Sequence, residues 1–186
     1  ANRPGRAPDA AVRVVHAGAI YVGRDPRPLF DAVKSLTSAA ASLPVSLNFF
    51  GTPPEQGLDL AREAEARGLA DLVSVRGQVP YAQALREMVG ADVNLLMDTP
   101  GRTVGVPAKV YEYIGAGRPI LALGEPDGDL AWVLDRSGVP HRIAPPGDAA
   151  AIARALAELA REAAAGRGYP TGPDRHRCSR QAVARR

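Results

Sequence analysis

Residues 105–123, GVPAKVYEYIGAGRPILAL, are the stretch that decides the fold. Pro107 stands where a helix can begin, because proline lacks the N–H that the first helical turn leaves unpaired. Two glycines further on can end that helix. The final five residues, PILAL, form an apolar run of the length that a buried strand has. The stretch therefore predicts a loop, a helix at 107–114 and a strand at 119–123.

The rest of the chain repeats this alternation on both sides. Short apolar runs predict further strands at 12–17, 43–50, 72–75, 92–97 and 141–143. Amphipathic segments predict helices at 29–41, 58–67, 80–89, 130–137 and 148–165. Alternating strands and helices indicate parallel βαβ units. We therefore predict an α/β fold: a Rossmann-like, doubly wound parallel sheet of about six strands in three α/β/α layers.

Such sheets bind ligands beyond the carboxyl ends of their strands, near the switch in strand order. This rule directs attention to the loops that follow the strands, at 18–26, 51–55, 76–81, 98–107 and 124–129.

Composition favours an ordinary soluble domain. The chain has 186 residues, of which 46% are hydrophobic and 23% charged, and no apolar run approaches the roughly 20 residues that span a bilayer. The first nine residues are polar, with Pro and Gly, so they do not resemble a signal peptide. A single cysteine, Cys178, rules out an internal disulfide and suits a reducing cytoplasm.

The basic residues do not point to nucleic acid. Lys34 and Lys109 are the only lysines, so 21 of the 23 basic residues are arginine. Such arginine richness, together with abundant Ala, Gly and Pro, is typical of a high-GC genome. We therefore predict no nucleic-acid partner. His141 and His176 have no Cys or His neighbours at ligand spacing, so we predict no metal site.

The helix that Pro107 opens carries the most informative side chains. Its first N–H groups and its dipole favour an anion. Lys109 in the first turn opposes that dipole, yet a cation there suits a bound diphosphate. Glu112 lies on the same side, three residues on. A surface ion pair with Lys109 and a ligand-binding role are both open for it; a carboxylate that accepts two hydrogen bonds matches the paired hydroxyls of a ribose.

These residues resemble the carboxy-terminal signature of GT-B glycosyltransferases, especially the retaining enzymes of family 4 (glycosyltransferase group 1). The matching positions are Pro107, Lys109, Glu112–Tyr113, the turn at 116–119 and the strand at 120–123. The resemblance extends over residues 12–165 in the order and spacing of the strands. It implies a linker from a missing N-terminal domain at 1–11, a nucleotide-sugar-binding domain at 12–166, and a loop with the start of a truncated helix at 167–186.

The resemblance also implies a donor site. Glu112 would bind the ribose of the nucleotide, and the loop at 76–81 would frame the base. Arg24, with Arg27 behind it, and Lys109 would bind the diphosphate and stabilise it as the leaving group. The donor-binding residues implied in full are Gly18, Arg24, Gly77, Val79, Pro80, Gly105, Val106, Lys109 and Glu112. An ordinary strand-exit turn is the open alternative for 76–81.

One position departs from the family. A second glutamate usually stands eight residues before the ribose-binding one, directed at the donor sugar, but here that position is Val104. Backbone N–H groups together with Asp98, Arg102 or Thr103 would then hold the sugar, or the chain belongs to a divergent branch. We interpret two other side chains as structural: His16 as packed against the core or the helix layer, and Trp132 as core.

The resulting hypothesis is a glycosyltransferase donor domain. It binds an NDP-sugar, UDP- or GDP-linked, for hexosyl transfer to an acceptor held by the N-terminal domain, and by itself it is inactive. No cofactor and no divalent metal are implied. The implied location is cytoplasmic, with the missing domain as the route to any peripheral contact with the inner face of the membrane. A GT-B epimerase or hydrolase of nucleotide sugars and a non-catalytic α/β binding domain are the alternatives.

Overall fold

The computed structural model describes residues 11–38, 43–51 and 58–164. These ranges form one parallel sheet with the strand order β3-β2-β1-β4-β5-β6. The strands are β1 (Val12–Ala17), β2 (Val45–Phe50), β3 (Val73–Arg76), β4 (Val93–Met97), β5 (Ile120–Leu123) and β6 (His141–Ala144). The helices are α1 (Arg27–Ser38), α2 (Leu60–Glu65), α3 (Tyr81–Val89), α4 (Lys109–Ala116), α5 (Asp129–Ser137) and α6 (Ala149–Ala164).

The sheet lies between two layers of helices. One core cluster joins the sheet to α1, α2 and α6 through residues such as Phe30, Leu60 and Leu156. A second cluster joins the opposite face to α3, α4 and α5, with Met88 and Tyr113 among its fully buried members. The predicted three-layer, doubly wound α/β fold is therefore confirmed.

The strand order reverses between β1 and β4, which are neighbours in the sheet although two βα units separate them in sequence. This reversal is the switch point of a doubly wound sheet, where ligands of such folds bind. It brings together the loop after β1 and the loop after β4.

The predicted elements agree with the observed ones to within about two residues at the ends described. The largest difference that affects the site is the start of α4, which begins at Lys109 and not at Pro107. The reason is that Val110 donates its N–H to the Pro107 carbonyl over 3.0 Å, a tighter three-residue turn that precedes the regular helix. The predicted linker, the end of the first helix and the C-terminal tail lie almost wholly outside the described residues.

The prediction for Trp132 is wrong. Its side chain is 52% exposed, because α5 buries the stripe that contains Leu130, Val133 and Leu134 and turns Trp132 outward. The Arg136 guanidinium lies 4.1 Å from the centre of the indole ring, so the ring is covered by a cation and not by the core.

None of the helices in the described ranges combines the length and the apolar character that a membrane-spanning segment needs.

Candidate functional site

The site begins where β1 and β4 stop pairing. β1 pairs with β2 along its whole length, but with β4 only at Val14 and Val15. Beyond these residues, hydrogen bonds to side chains take the place of backbone hydrogen bonds between the two strands. His16 Nδ1 donates to the Leu95 carbonyl over 3.1 Å, and the Ala17 N–H donates to the Tyr113 hydroxyl over 3.0 Å. The two strands thus leave an opening at the carboxyl edge of the sheet without leaving these backbone groups unpaired.

This opening is a cavity of about 400 Å³. Three parts of the chain line it: the end of β1 with the loop after it, the end of β4 with the loop after it, and the first turn of α4. The lining includes His16, Gly18, Tyr21 and Arg24 from the first part, Met97, Arg102 and Val106 from the second, and Ala108, Lys109 and Glu112 from the third. Five of the nine predicted donor-binding residues, Gly18, Arg24, Val106, Lys109 and Glu112, therefore lie in one cavity.

The cavity is suited to an anion. It is lined by three cations, Arg24, Arg102 and Lys109, and it faces the start of α4. The N–H groups of Ala108 and Lys109 come before the first backbone hydrogen bond of this helix, and no side chain of the described residues caps it. A helix N-terminus with unpaired N–H groups carries partial positive charge. Cations and helix dipole therefore act in the same direction.

Lys109 and Glu112 form the predicted ion pair. Lys109 Nζ lies 2.7 Å from Glu112 Oε2, and both side chains remain partly exposed to the cavity. The ion-pair alternative is therefore observed, while the ligand-binding role of Glu112 stays a prediction, since a partly exposed pair of this kind is weak and leaves both groups available to a ligand.

Arg24 is the most buried of the three cations, with a side chain only 11% exposed. Burial lowers its pKa, and nearby Asp98 opposes that shift. Its guanidinium lies 5.0 Å from the centre of the Tyr21 ring, and its Nε is buried without a hydrogen-bond partner in the described part of the chain. Arg27, by contrast, lies outside the cavity, on the surface, where Asp25 holds it at 2.7 Å. Arg24 is thus the arginine of this loop that faces the cavity.

Two further groups join the site through the fold. Arg102 lines the cavity, and the Asp98 side chain lies beside it, 1% exposed. From the sequence both were candidates to hold the donor sugar, but nothing in the sequence shows that Asp98 lies near the loop after β1. The one available signal was position, since Asp98 follows β4 directly.

His16 is buried, as predicted, and its ring lies 5.9 Å from that of Phe49. It also lines the cavity, which the packing interpretation did not anticipate. Burial lowers its pKa to about 4, with Arg24 and Lys109 adding to the shift and the bond to the Leu95 carbonyl opposing it. The ring is therefore neutral at pH 7. Its Nε2 has no hydrogen-bond partner among the described residues.

The other predicted residues lie outside this cavity. Gly77, Val79 and Pro80 lie in the loop between β3 and α3, where Val79 packs against the small cluster around Phe50. Gly105 donates its N–H to Asp129 Oδ2 over 2.8 Å. These four residues therefore do not line this cavity, and their donor-binding role stays a prediction.

Val104 projects into solvent, with 80% of its surface exposed. Asp129 fixes the loop around it, because it accepts the Gly105 N–H and its own N–H donates to the Thr103 carbonyl over 2.8 Å. The side chain at this position does not line the cavity, and Arg102 is the polar residue that this loop places there.

A second concavity adjoins the first. A groove of about 550 Å³ runs between α3 and α4, lined by Tyr81, Leu85, Val89, Tyr111, Gly115 and Ala116 together with Ala108 and Glu112. Ala108 and Glu112 also line the cavity, so the two spaces meet at the first turn of α4. Tyr81, at the end of the loop predicted to frame a base, faces this groove with an exposed ring.

Glycine is required where the exits of β1 and β2 touch. A side-chain carbon on Gly51 would lie 2.2 Å from the Gly18 carbonyl oxygen, and both residues have positive φ. Gly18 itself donates its N–H to the Phe50 carbonyl over 2.7 Å. The close approach fixes the backbone that forms one wall of the cavity.

Within the described ranges, no three His, Cys, Asp or Glu side chains are grouped so that they could hold a metal ion.

Comparison with known proteins identifies the family. The family described as "Glycosyl transferases group 1" matches residues 11–162. The chain therefore belongs to the group 1 glycosyltransferases, and its fold is that of their C-terminal GT-B domain. A curated relative, the probable glycosyltransferase WbjE of Pseudomonas aeruginosa, is 32% identical over 84 residues, which are 45% of this chain and 21% of WbjE.

Solved structures share the fold at low sequence identity. The apo lipopolysaccharide outer core galactosyltransferase WaaB gives a TM-score of 0.65 at 13% identity, over 86% of this chain and 43% of that one. HepE of Anabaena, solved with UDP-glucose, gives a TM-score of 0.62 at 17% identity, over 96% of this chain and 49% of HepE. The C-terminal domain of LpcC, a group 1 protein of Francisella tularensis, gives a TM-score of 0.60 at 14% identity, over 84% of this chain and 82% of that domain. This chain thus spans about half or less of WbjE, WaaB and HepE.

Proposed function

We propose that this chain binds the nucleoside diphosphate part of an NDP-sugar and presents the sugar for transfer. The observation that supports the proposal most is the meeting of three features in one cavity at the switch point. These are the opening of α4, the cations Arg24 and Lys109, and the carboxylate of Glu112. The crystal structure of HepE with UDP-glucose supports the ligand class.

The diphosphate would lie against the N-terminus of α4. Arginine presents a fork of donors that matches phosphate oxygens, and a phosphate oxygen would accept from the buried Arg24 Nε, which has no hydrogen-bond partner among the described residues. Lys109 lies close to Gly18, whose lack of a side chain leaves room for the ligand. Removing these positive groups should therefore weaken the binding of phosphates and leave the fold intact.

The ribose and the base would follow towards α3. Glu112 stands where the cavity and the groove meet, so one carboxylate can accept hydrogen bonds from both ribose hydroxyls. The apolar walls of the groove, with the exposed Tyr81 ring at its edge, offer surface for a planar base. The nucleotide would therefore run from Arg24 through Glu112 to Tyr81.

Glycosyl transfer breaks the bond between the sugar carbon and the diphosphate oxygen, and the diphosphate leaves with the bonding electrons. Its negative charge grows as the bond breaks. Preorganised cations at that place stabilise the transition state more than the ground state. Arg24 and Lys109 would supply this stabilisation, while an N-terminal domain would hold the acceptor that forms the new bond to the sugar carbon. We accordingly propose that this chain binds nucleotide but transfers no sugar by itself, and we expect a cytoplasmic location.

The direct test is titration with UDP and with GDP while the backbone amides of residues 105–112 are followed by NMR. We expect shifts in these amides, and not in those of α6 on the other face of the sheet. No perturbation at millimolar nucleotide would contradict the proposal.

A further inference from the structure

One buried carboxylate lies between two of the cavity's arginines. Asp98 follows β4 directly, and its N–H donates to the Leu123 carbonyl over 2.8 Å, which fixes it at the carboxyl edge of the sheet. Its Oδ1 accepts the Thr99 N–H over 2.7 Å. The same oxygen lies 3.4 Å from Arg102 Nε and 4.0 Å from Arg24 Nη2.

The two arginines come from opposite sides of the opening. Arg24 belongs to the loop after β1 and Arg102 to the loop after β4, and the two strands are those between which the strand order reverses. Both residues line the cavity. Asp98 therefore lies between the two walls of the cavity, close to one cation from each.

Neither arginine is fully engaged by this carboxylate. The 4.0 Å separation from Arg24 is too long for a hydrogen bond, and a single Asp98 oxygen faces both cations. Arg24 Nε and Asp98 Oδ2 are both buried without hydrogen-bond partners within the described ranges. Buried groups of this kind are normally satisfied, so the Arg24 donor at the cavity wall points to an anion that would accept from it, whereas Asp98 Oδ2 is an acceptor that an anion would not complete.

We propose that Arg102 is a further binding residue for the diphosphate and that Asp98 is a positioning residue that holds Arg24 and Arg102 together as a clamp. The proposal rests on the proposed function and extends it, because the loop after β4 then contributes a cation to the phosphates. The clamp would grip the end of the diphosphate away from Glu112. Holding both guanidiniums in place in advance reduces the ordering cost of binding.

The first test measures inorganic pyrophosphate binding by calorimetry on the whole chain. Arg102→Gln should weaken pyrophosphate binding about tenfold, as expected when a charge-assisted hydrogen bond is lost. Arg154→Gln is the matched control, since it removes the same charge from the exposed surface of α6. Equal affinities of Arg102→Gln and wild type would overturn the assignment of Arg102.

The second test asks whether Asp98 positions Arg102. Arg102→Gln is compared in the wild-type and Asp98→Asn backgrounds, so that the general effect of removing the Asp98 charge cancels. We expect the tenfold loss to shrink to less than about twofold when Asp98 is absent, because the guanidinium is then no longer held. The same loss in both backgrounds would overturn the positioning role.

Thermal unfolding of each variant shows that it is folded. If Asp98→Asn does not fold, the coupling between Arg24→Gln and Arg102→Gln takes its place: non-additive losses support the clamp and additive losses overturn it. The outcomes also separate the two proposals. If pyrophosphate binding depends on Arg102 but a nucleoside diphosphate binds no more tightly than pyrophosphate, the clamp is supported and the nucleotide site is contradicted. Absence of pyrophosphate and nucleotide binding by the wild type would overturn both.

Discussion

At the scale of single residues, the structure separates two arginines that the sequence places side by side. Arg24 lies in the wall of the cavity with a buried Nε that no other group in the described part of the chain pairs, while Arg27, three residues on, is held on the surface by Asp25. Charge alone does not distinguish them. The burial of each side chain and the direction of the loop do distinguish them. Substituting Arg24 and Arg27 in turn is therefore a matched experiment.

We predict that Arg24→Gln weakens UDP or GDP binding about tenfold, because a phosphate loses its charge-assisted donor. Arg27→Gln should leave the affinity within about twofold, since an exposed ion pair contributes little. Calorimetric titration of both variants measures this. Equal losses in the two would mean that only net charge matters and that Arg24 makes no specific contact.

His16 leads to a prediction on stability. Its pKa is lowered by burial to about 4 in the folded chain and is about 6.5 when unfolded. Between these values the unfolded chain binds a proton that the folded chain does not, so the free energy of unfolding falls as pH drops. From pH 7 to pH 5 the expected loss from His16 is about 2 kcal/mol.

Urea unfolding at pH 7 and pH 5 measures this loss, with His16→Gln as the comparison. The variant should show a pH dependence that is smaller by about the amount assigned to His16. If the free energy of unfolding depends on pH equally in His16→Gln and in wild type, His16 is not the group that titrates.

Local sequence was enough for some site residues and not for others. The ion pair of Lys109 and Glu112 was predictable, because residues three positions apart on one helix share a face whatever the rest of the chain does. The roles of Asp98, Arg102 and His16 were not, because their proximity to Arg24 depends on how β1 and β4 diverge. No spacing along the chain shows where two strands stop pairing.

At the scale of elements, the alternation of apolar runs and amphipathic segments was enough to place the strands and helices. Apolar periodicity is a local property, and proline and glycine mark where each element stops. Trp132 shows the limit of this reasoning, since large apolar residues are usually buried but its position on α5 faces outward. The order of strands in the sheet likewise depends on contacts between distant segments.

The contact between the exits of β1 and β2 is an element-scale feature that substitution tests. Gly51→Ala should destabilise the chain by about 3 kcal/mol or more, because the added carbon meets the Gly18 backbone 2.2 Å away. Gly68→Ala is the control: it also has positive φ but open space around it, and should cost about 1 kcal/mol. Thermal or urea unfolding compares them. Equal costs would show that the two exits do not touch.

At the scale of the whole molecule, the fold explains why one end of the sheet holds all the candidate chemistry. Parallel strands end at the same edge, and the reversal between β1 and β4 leaves the opening in which Arg24, Arg102, Lys109 and Glu112 meet. The groove between α3 and α4 extends this opening to one side, and Glu112 belongs to both. We therefore propose that phosphates, a ribose and a base would bind along these two adjoining spaces.

The most direct test of that arrangement is a comparison of two ligands with one variant. Calorimetry measures the affinity of Glu112→Gln and of wild type for a nucleoside diphosphate and for inorganic pyrophosphate, with Glu65→Gln on α2 as the control. We predict that Glu112→Gln loses about tenfold in affinity for the nucleoside diphosphate and keeps its affinity for pyrophosphate, because only the former carries the ribose. Unchanged nucleoside diphosphate binding in Glu112→Gln, or an equal loss for both ligands, would contradict the account.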